Sequence, residues 1–515
     1  MPITRRRFLT TASAGVTALA CPALSRAAAR PVITHGVQSG DVSGTSGVVW
    51  ARADRAARME VEVSATEAFA NLVGRAAIDA TPETDFCAKA LLQGLPPGQT
   101  LFYRVRFRDI NDVNGVSEPV VGRLRTAPLE RRDVSFVWSG DTVGQGWGID
   151  EARGGMRIYA AMAREAPDFF IHSGDTIYAD NPLKAEVTLP DGTLWRNLMT
   201  EEKAKVAETL DEFRGQWRYN LLDKNLLAFN REVPMLAQWD DHEVVDNWWP
   251  EKRLDADPRY REKSVAVLAV NAARAFHEYV PIGANADEAR RVYRKVPYGP
   301  LLDVFFLDMR TYRAANGPNR QSEEGPETVF LGRDQLDWLK RELKASRATW
   351  KVIAADMPLG LVVYDDFRTR SGSEAIAQGD GPPLGRELEF AGLLAWMKRE
   401  GVRNTVWLTA DVHYTAAHRY DPARAAFTEF DPFWEFVSGP LHAGTFGPNP
   451  LDPTFGPEIV FQKAPPPGQF NLSPAAGYQF YGHVRVDGHS EQMVVTLKDA
   501  AGASLWATTI DPVRS

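Results

Sequence analysis

Cysteine is almost missing from this chain: Cys21 and Cys87 are the only two in 515 residues. That excludes a disulfide framework, so stability has to come from core burial and bound ions rather than covalent staples. Long apolar runs are missing too. The longest candidate, in the first 30 residues, is too short and too alanine-rich to cross a bilayer, so no transmembrane anchor is expected. Basic residues are outnumbered, with 59 Lys and Arg against 67 Asp and Glu, a formal charge of -8. A field of that sign argues against a nucleic-acid partner, whose phosphates need a basic face. Internal repeats and low-complexity segments are absent as well. What is present is the composition of a soluble globular protein long enough for several domains.

The first 29 residues form a unit of their own. Arg5, Arg6, Phe8 and Leu9 make a twin-arginine pattern, an alanine-rich stretch follows, and Ala27-Ala28-Ala29 offers a small-residue cleavage site. The segment reads as a Tat signal peptide, which makes the Tat machinery a partner and predicts a periplasmic or secreted protein. Lipid attachment at Cys21 is the weaker reading, because Ala18 is a poor lipobox residue. Removing the four arginines of residues 1–29 would leave a charge of about -12. Export in the folded state suits a protein that takes up metal before meeting the competing ions outside.

Residues 32–128 read as β-structure. "SGVVWARAD" and "MEVEVSAT" are strand-like, and "CAKALLQGLPPGQTLFYRVRFRD" is two strands around a Pro-Pro-Gly turn, as in a small β-sandwich domain. "LRTAPLERRD" marks a boundary near residue 130. Residues 133–515 then follow a strand–helix–strand pattern. "VSFVWSGD" and "PDFFIHSGD" are buried strands joined by the helix "GGMRIYAAMAREA", a βαβ unit whose right-handed crossover sets Asp141 and Asp175 at the carboxyl ends of parallel strands. Helices are expected at Val206–Leu210–Phe213–Trp217, in "SVAVLAVNAARAFHEYVP" and in "GRDQLDWLKRELKAS". His277, inside the second of these, reads as structural. Further strands are "VPMLAQWDDHE", "LLDVFFLDMRTYR", "WKVIAADMPLG" and "RNTVWLTADVHY". The chain closes with "HVRVDG", "QMVVTLKD" and "SLWATTID", expected to form or extend a second sheet.

Four apolar strands end in polar clusters: "SGD", "SGDTIY", "WDDHE" and "TADVH". Each alone is explained by capped turns and solvated acids. Together they are not, because burying several carboxylates at one sheet edge is very costly unless cations neutralise them. An Asp shared between two ions, with His and further Asp on either side, meets that need. The spacing in "ADVH" sets Asp411 and His413 on one side of a strand end. The pattern therefore predicts a two-metal hydrolytic centre.

The order Asp141, "GDTIY", "DDHE", "DVH" resembles the calcineurin-like metallophosphoesterases. "GVQSGDVSGTSGVVWAR", "HSGDTIYAD", "WDDHEVVDNWW", "FLDMRTYR" and "LTADVHY" are more closely similar to the PhoD-type alkaline phosphatases, over nearly the whole chain after the signal. The resemblance implies an α/β (α+β) fold, an N-terminal β-sandwich followed by a metallophosphoesterase β-sandwich flanked by helices. It implies Tat export, Fe3+ with Ca2+ as cofactors (Zn2+ or Mn2+ being the alternatives), and hydrolysis of phosphomonoesters or phosphodiesters by metal-activated hydroxide. Carried over residue by residue, it makes Asp175 the bridging ligand, puts Tyr178 and His413 on the ferric ion, and gives Asp411 and Asn247 to the divalent ion. Asp240 or Asp241 takes the place of an amide ligand, and His242 faces the phosphoryl group. Family members can place a Cys near the end of the first strand. This chain has "SGDTVGQ" there, and Asp141 is the substitute, a harder donor.

Guanidinium groups match phosphate bidentately, so Arg153, Arg157, Arg310 and Arg313 are candidates for gripping substrate, with Arg310 first from its place after "FFLD". Two rivals stand beside the phosphatase reading: a phospholipase D-like phosphodiesterase, and a non-catalytic surface- or glycan-binding protein that keeps the fold.

Overall fold

The computed structural model describes residues 30–283, 290–366 and 368–514. The signal segment, residues 1–29, lies outside them. Two mixed β-sheets stack face to face. The first has nine strands, with Val134–Ser139, Phe169–Ser173 and Met235–Gln238 parallel at its centre. The second has seven, with Leu302–Phe306, Trp350–Ala354, Thr405–Thr409 and Phe433–Val437 parallel. These strands are covered on both faces, which is why they read in the sequence as unbroken apolar runs rather than alternating ones.

Phe136, Trp138, Phe169, Ile171 and Leu236 of the first sheet meet Val304, Phe306, Val352, Leu408 and Phe436 of the second. Each such side chain contributes roughly 1.5–3 kcal/mol on leaving water. Helices cover the outer faces. Arg157–Arg164, Leu210–Asn220, Lys224–Glu232 and Val265–Tyr279 bury Met162, Phe213, Trp217, Phe229 and Phe276 against the first sheet. Arg333–Ala345 and Glu387–Glu400 bury Leu339, Leu343, Phe390 and Met397 against the second. The result is a helix–sheet–sheet–helix sandwich. Helix Leu210–Asn220 starts at a full capping box, Thr209 with Glu212, so its first amides are satisfied without help from elsewhere. Among the described residues no helix is long and apolar enough to cross a membrane.

The three closing strands, Phe480–Val486, Met493–Asp499 and Ser504–Ile510, lie in the first sheet, not the second. Phe480–Val486 pairs antiparallel with Val134–Ser139. The fit depends on Gly482, where a Cβ would lie 2.0 Å from the Trp138 ring. Hairpin signals in the sequence pair these strands with one another and say nothing of the strand they join.

The same sheet runs into the N-terminal β-structure. Ile33–Gly40 pairs parallel with Met235–Gln238, and Ser46–Ala53 and Cys87–Gln93 complete that edge. Leu72–Ala80, Ala57–Ser64, Thr100–Asp109 and Val120–Arg125 form a separate four-stranded sheet. It packs Met59, Val61, Tyr103 and Phe107 against Val37, Val49 and Ala51. A small sandwich thus shares one of its sheets with the larger one. Gln38 donates to the Tyr279 carbonyl at 2.7 Å, Trp50 donates to the Glu278 carbonyl at 2.8 Å, and Asp85, already paired with Arg52 of its own domain, accepts from Arg218 across the seam.

Candidate metal centre

The parallel strands end together at one edge of the stack. There the first sheet presents Asp141, Asp175, Asp240 and Asp241, and the second presents Arg310, Asp356, Asp411 and His413. Asp141 (φ 63°), Asp175 (φ 53°), Asn247 (φ 51°), Asp411 (φ 61°) and His413 (φ 61°) all adopt left-handed backbone. For non-glycine residues that conformation costs about 1 kcal/mol or more each and persists only where the surroundings enforce it, typically at functional sites.

The enforcing contacts come from the chain itself. The Glu243 carboxylate accepts from the amides of Asp175 (3.1 Å), Thr176 (2.6 Å) and Asp240 (2.8 Å), tying two strand ends together. The Asp141 carbonyl accepts from the amides of His442 and Ala443, both at 3.1 Å. Gly439 makes room for the Asp141 carboxylate, since a Cβ there would sit 2.2 Å from Oδ2.

Three ligand groups result, in each of which the donor atoms lie within 4.8 Å of one another: Asp141, Asp175 and His413; Asp175, Asp241 and His242; Asp240, Asp241 and Asp411. Asp175 belongs to the first two and Asp241 to the last two. Tyr178 joins the first, with its hydroxyl 3.0 Å from His413 Nε2 and its ring stacked on His242 at 4.2 Å between centroids. His413 Nδ1 donates to the Gly444 carbonyl, which turns the Nε2 lone pair toward Tyr178 and toward Asp141 Oδ1, 3.5 Å away. Asn247 supports the site through its backbone, whose amide donates to Asp241 Oδ2 at 2.6 Å. Its side-chain nitrogen donates to the Asp365 carbonyl at 3.2 Å.

The electrostatics call for cations. Both oxygens of Asp141, both of Asp356 and Oδ2 of Asp240 are buried with no hydrogen-bond donor. Burial, then repulsion from Asp240, pushes the Asp141 carboxyl well above the usual carboxylate range, and burial does the same to Asp175, Asp411 and Asp356. Burial also raises the Tyr178 hydroxyl, with the nearby Asp175 and Asp141 adding to it. Burial lowers His413 to about 4, so its ring is neutral and able to act as a ligand. Carboxylates, imidazole and a phenol are donors for hard and borderline ions, and orphaned buried carboxylates are the groups that such ions satisfy. The residues therefore fit a metal centre. Cys87 takes no part, being buried in strand Cys87–Gln93 of the N-terminal sandwich.

His242 has a partner that its motif does not reveal. Its Nδ1 lies 2.8 Å from Asp180 Oδ1, and its amide donates to Asp175 Oδ1 at 3.1 Å. Burial opposes its protonation, but Asp180, Asp241 and Asp175 together outweigh burial and raise its pKa well above the usual value. Asp180 stands two residues beyond Tyr178 in "GDTIYAD", where only the fold reveals which imidazole it meets. Sequence reasoning puts Glu243 in the "WDDHE" cluster without its role, and it misses Asp356, for the same reason.

Of the four arginines, none stands free beside the ligand groups. Arg153 donates to Thr193 and Leu194. Arg157 is exposed at the start of helix Arg157–Arg164. Arg313 is buried against Glu374 and Asn316. Arg310 is at the centre, but its guanidinium is 0 % exposed and enclosed by carboxylates, which differs from a group open to substrate.

The PhoD-like phosphatase family matches residues 136–497, and the PhoD-like phosphatase N-terminal domain matches residues 17–128. Alkaline phosphatase D of Bacillus subtilis (strain 168) is 27% identical over 403 residues, which cover 74% of this chain and 64% of that protein's length. A solved structure of PhoD superposes with a TM-score of 0.67 at 21% identity, covering 94% of this chain and 90% of that one. The purple acid phosphatase PPD1 from yellow lupin (Lupinus luteus) seeds superposes with a TM-score of 0.54 at 12% identity, covering 94% of this chain and 74% of that one.

Proposed function

The chain belongs to the PhoD-like phosphatase family, and from that premise we propose that it is an exported, metal-dependent hydrolase of phosphate esters, taking phosphomonoesters, phosphodiesters or both. One observation supports this reading above the others: a set of buried carboxylates at the strand ends that outnumber the cations beside them, with both oxygens of Asp141 and Oδ2 of Asp240 left without a hydrogen-bond donor. Two bound cations, in our reading Fe3+ with Ca2+, would supply the missing charge, hold phosphoryl oxygens and lower the pKa of a water.

In this proposal Asp141, Tyr178 and His413 would hold the ferric ion and Asp241 and Asp411 the divalent ion, with Asp175 placed to serve both. Asp240 contributes its Oδ2, since Oδ1 is engaged by Arg310. Asn247 braces Asp241. His242, oriented by Asp180, donates a hydrogen bond to the phosphoryl group and gives a proton to the leaving oxygen. The twin-arginine segment, Tat export and a periplasmic or secreted destination belong to the same proposal.

Protein recovered through its own signal should release phosphate from a simple aryl phosphate, cleave the corresponding diester, or do both, and should contain metal. It should also be coloured. A phenolate on Fe3+ gives a visible charge-transfer band that Zn2+ cannot, so Tyr178→Phe should bleach the protein while sparing the fold, since only one hydroxyl is lost. A band that survives Tyr178→Phe would remove Tyr178 from the iron. A colourless, fully active wild type would remove the iron itself.

A further inference from the structure

We propose that Arg310 is a positioning residue, a fixed internal cation that fastens the Asp240 side of the metal centre in the first sheet to the Asp411 side in the second, without touching substrate. The inference rests on the metal-centre reading above.

Arg310 follows strand Leu302–Phe306 of the seven-stranded sheet, yet its head reaches across to the nine-stranded one. Nη2 and Nε lie 2.5 and 2.6 Å from Asp240 Oδ1. Asp356 Oδ2 is 3.4 Å away, Asp411 Oδ1 3.7 Å and Asp241 Oδ1 3.9 Å, and Nη1 donates to Glu374 Oε1. One cation thus meets carboxylates from three strand ends and from the segment that carries Glu374.

A second contact fixes the same seam from the backbone side. Asp308 Oδ1 accepts from the Arg310 amide at 3.1 Å and from Trp239 Nε1, also at 3.1 Å. Trp239 immediately precedes Asp240. The loop bearing Arg310 is therefore anchored just beyond strand Met235–Gln238 at two successive residues, Trp239 and Asp240.

A guanidinium that is 0 % exposed and already bonded to Asp240 and Glu374 has no open face for a substrate oxygen. Ion clusters buried this deeply are also a poor route to stability, because desolvation consumes most of the Coulomb gain. What the planar guanidinium fork does supply is geometry: Nε and Nη2 close on Asp240 Oδ1 together while Nη1 holds Glu374, a fixed spread of contacts that an ammonium cannot reproduce.

The test compares Arg310→Met and Arg310→Lys with wild type, measuring kcat on an aryl phosphate, competitive inhibition by inorganic phosphate, bound metal, and thermal unfolding to establish folding. Positioning predicts that kcat falls by about 10- to 100-fold in Arg310→Met, the usual cost of losing a group that orients a ligand. Phosphate inhibition should stay within about twofold of wild type, because binding of the anion is not what is lost. Arg310→Lys, which keeps the charge without the fork, should fall between the two, and it carries the test if Arg310→Met does not fold. Phosphate inhibition weakened by about tenfold or more with metal content unchanged would place Arg310 on substrate and overturn the proposal. So would wild-type kcat in both variants. A wild type that keeps its activity after chelation needs no variant to interpret, and it would overturn the metal-centre reading beneath.

Discussion

Asp175→Ala should abolish hydrolysis while leaving a folded protein. Asp175 is the one carboxylate that belongs both to the group with Asp141 and His413 and to the group with Asp241 and His242. Without it, two cations would face each other with no shared counter-charge, and repulsion between like charges in a partly desolvated site is severe. The His242 amide would also lose its acceptor, Asp175 Oδ1, freeing the loop that carries His242. Losing a group that merely orients a ligand costs about 10- to 100-fold, so losing a shared ligand should leave less than about one-hundredth of the wild-type rate. Activity and bound metal measured together check this. Retention of most activity with full metal content would take Asp175 out of the shared position.

Removing metal should reverse the pH dependence of stability. Asp141, Asp175, Asp356 and Asp411 bind protons more tightly folded than unfolded, because burial in the metal-free fold raises them above the ordinary carboxylate range, and Glu243 is raised to about 7. A raised folded-state pKa contributes stability that is present below the unfolded pKa, near 4 for a carboxylate, and is lost as pH rises through the folded value. His242, also raised, acts in the same direction at higher pH. Asp241, lowered to about 2, works oppositely, but only in the acid range below its unfolded pKa. Chelated protein should therefore lose stability steadily between about pH 5 and 8, by about 1.4 kcal/mol per pH unit for each proton that the folded state holds in excess. Metal-loaded protein should gain stability over the same range, since ligands must shed protons to bind. Thermal unfolding with and without chelator, at both ends of the range, makes the comparison. Parallel curves would mean that the acids are not a cation site.

The convergence of the candidate ligands was legible in the sequence because each stands at the end of an apolar run, and parallel strands bring such ends to one edge. "SGD", "GDTIY", "DDHE" and "DVH" needed only that rule. The roles of Asp180, Glu243 and Asp356 were not legible, because each meets a group defined by tertiary contact: Asp180 a His 62 residues away, Glu243 the Asp175 amide 68 residues away, Asp356 the Arg310 guanidinium. Arg310 is recognisable by its place but not by its contacts, since sequence shows a guanidinium near the site and not the carboxylates enclosing it. Helix Glu387–Glu400 escapes notice because its apolar face has no clean period, and Lys224–Glu232 because it is short. The N-terminal strands were legible as β-structure, but their junction with Met235–Gln238 lies in Gly40, where a Cβ would sit 2.3 Å from the Met235 carbonyl oxygen. A glycine in a strand signals close approach without naming the partner.

Whether hydrolysis runs on two bound ions is decided by a metal titration of chelator-stripped protein, following phosphate-ester hydrolysis as Fe3+ and then Ca2+ are added back, with Asp175→Ala in parallel. Expected are no hydrolysis without metal, recovery that needs an ion at each of two positions, and no recovery in Asp175→Ala. Full hydrolysis by stripped wild-type protein would contradict the two-ion reading.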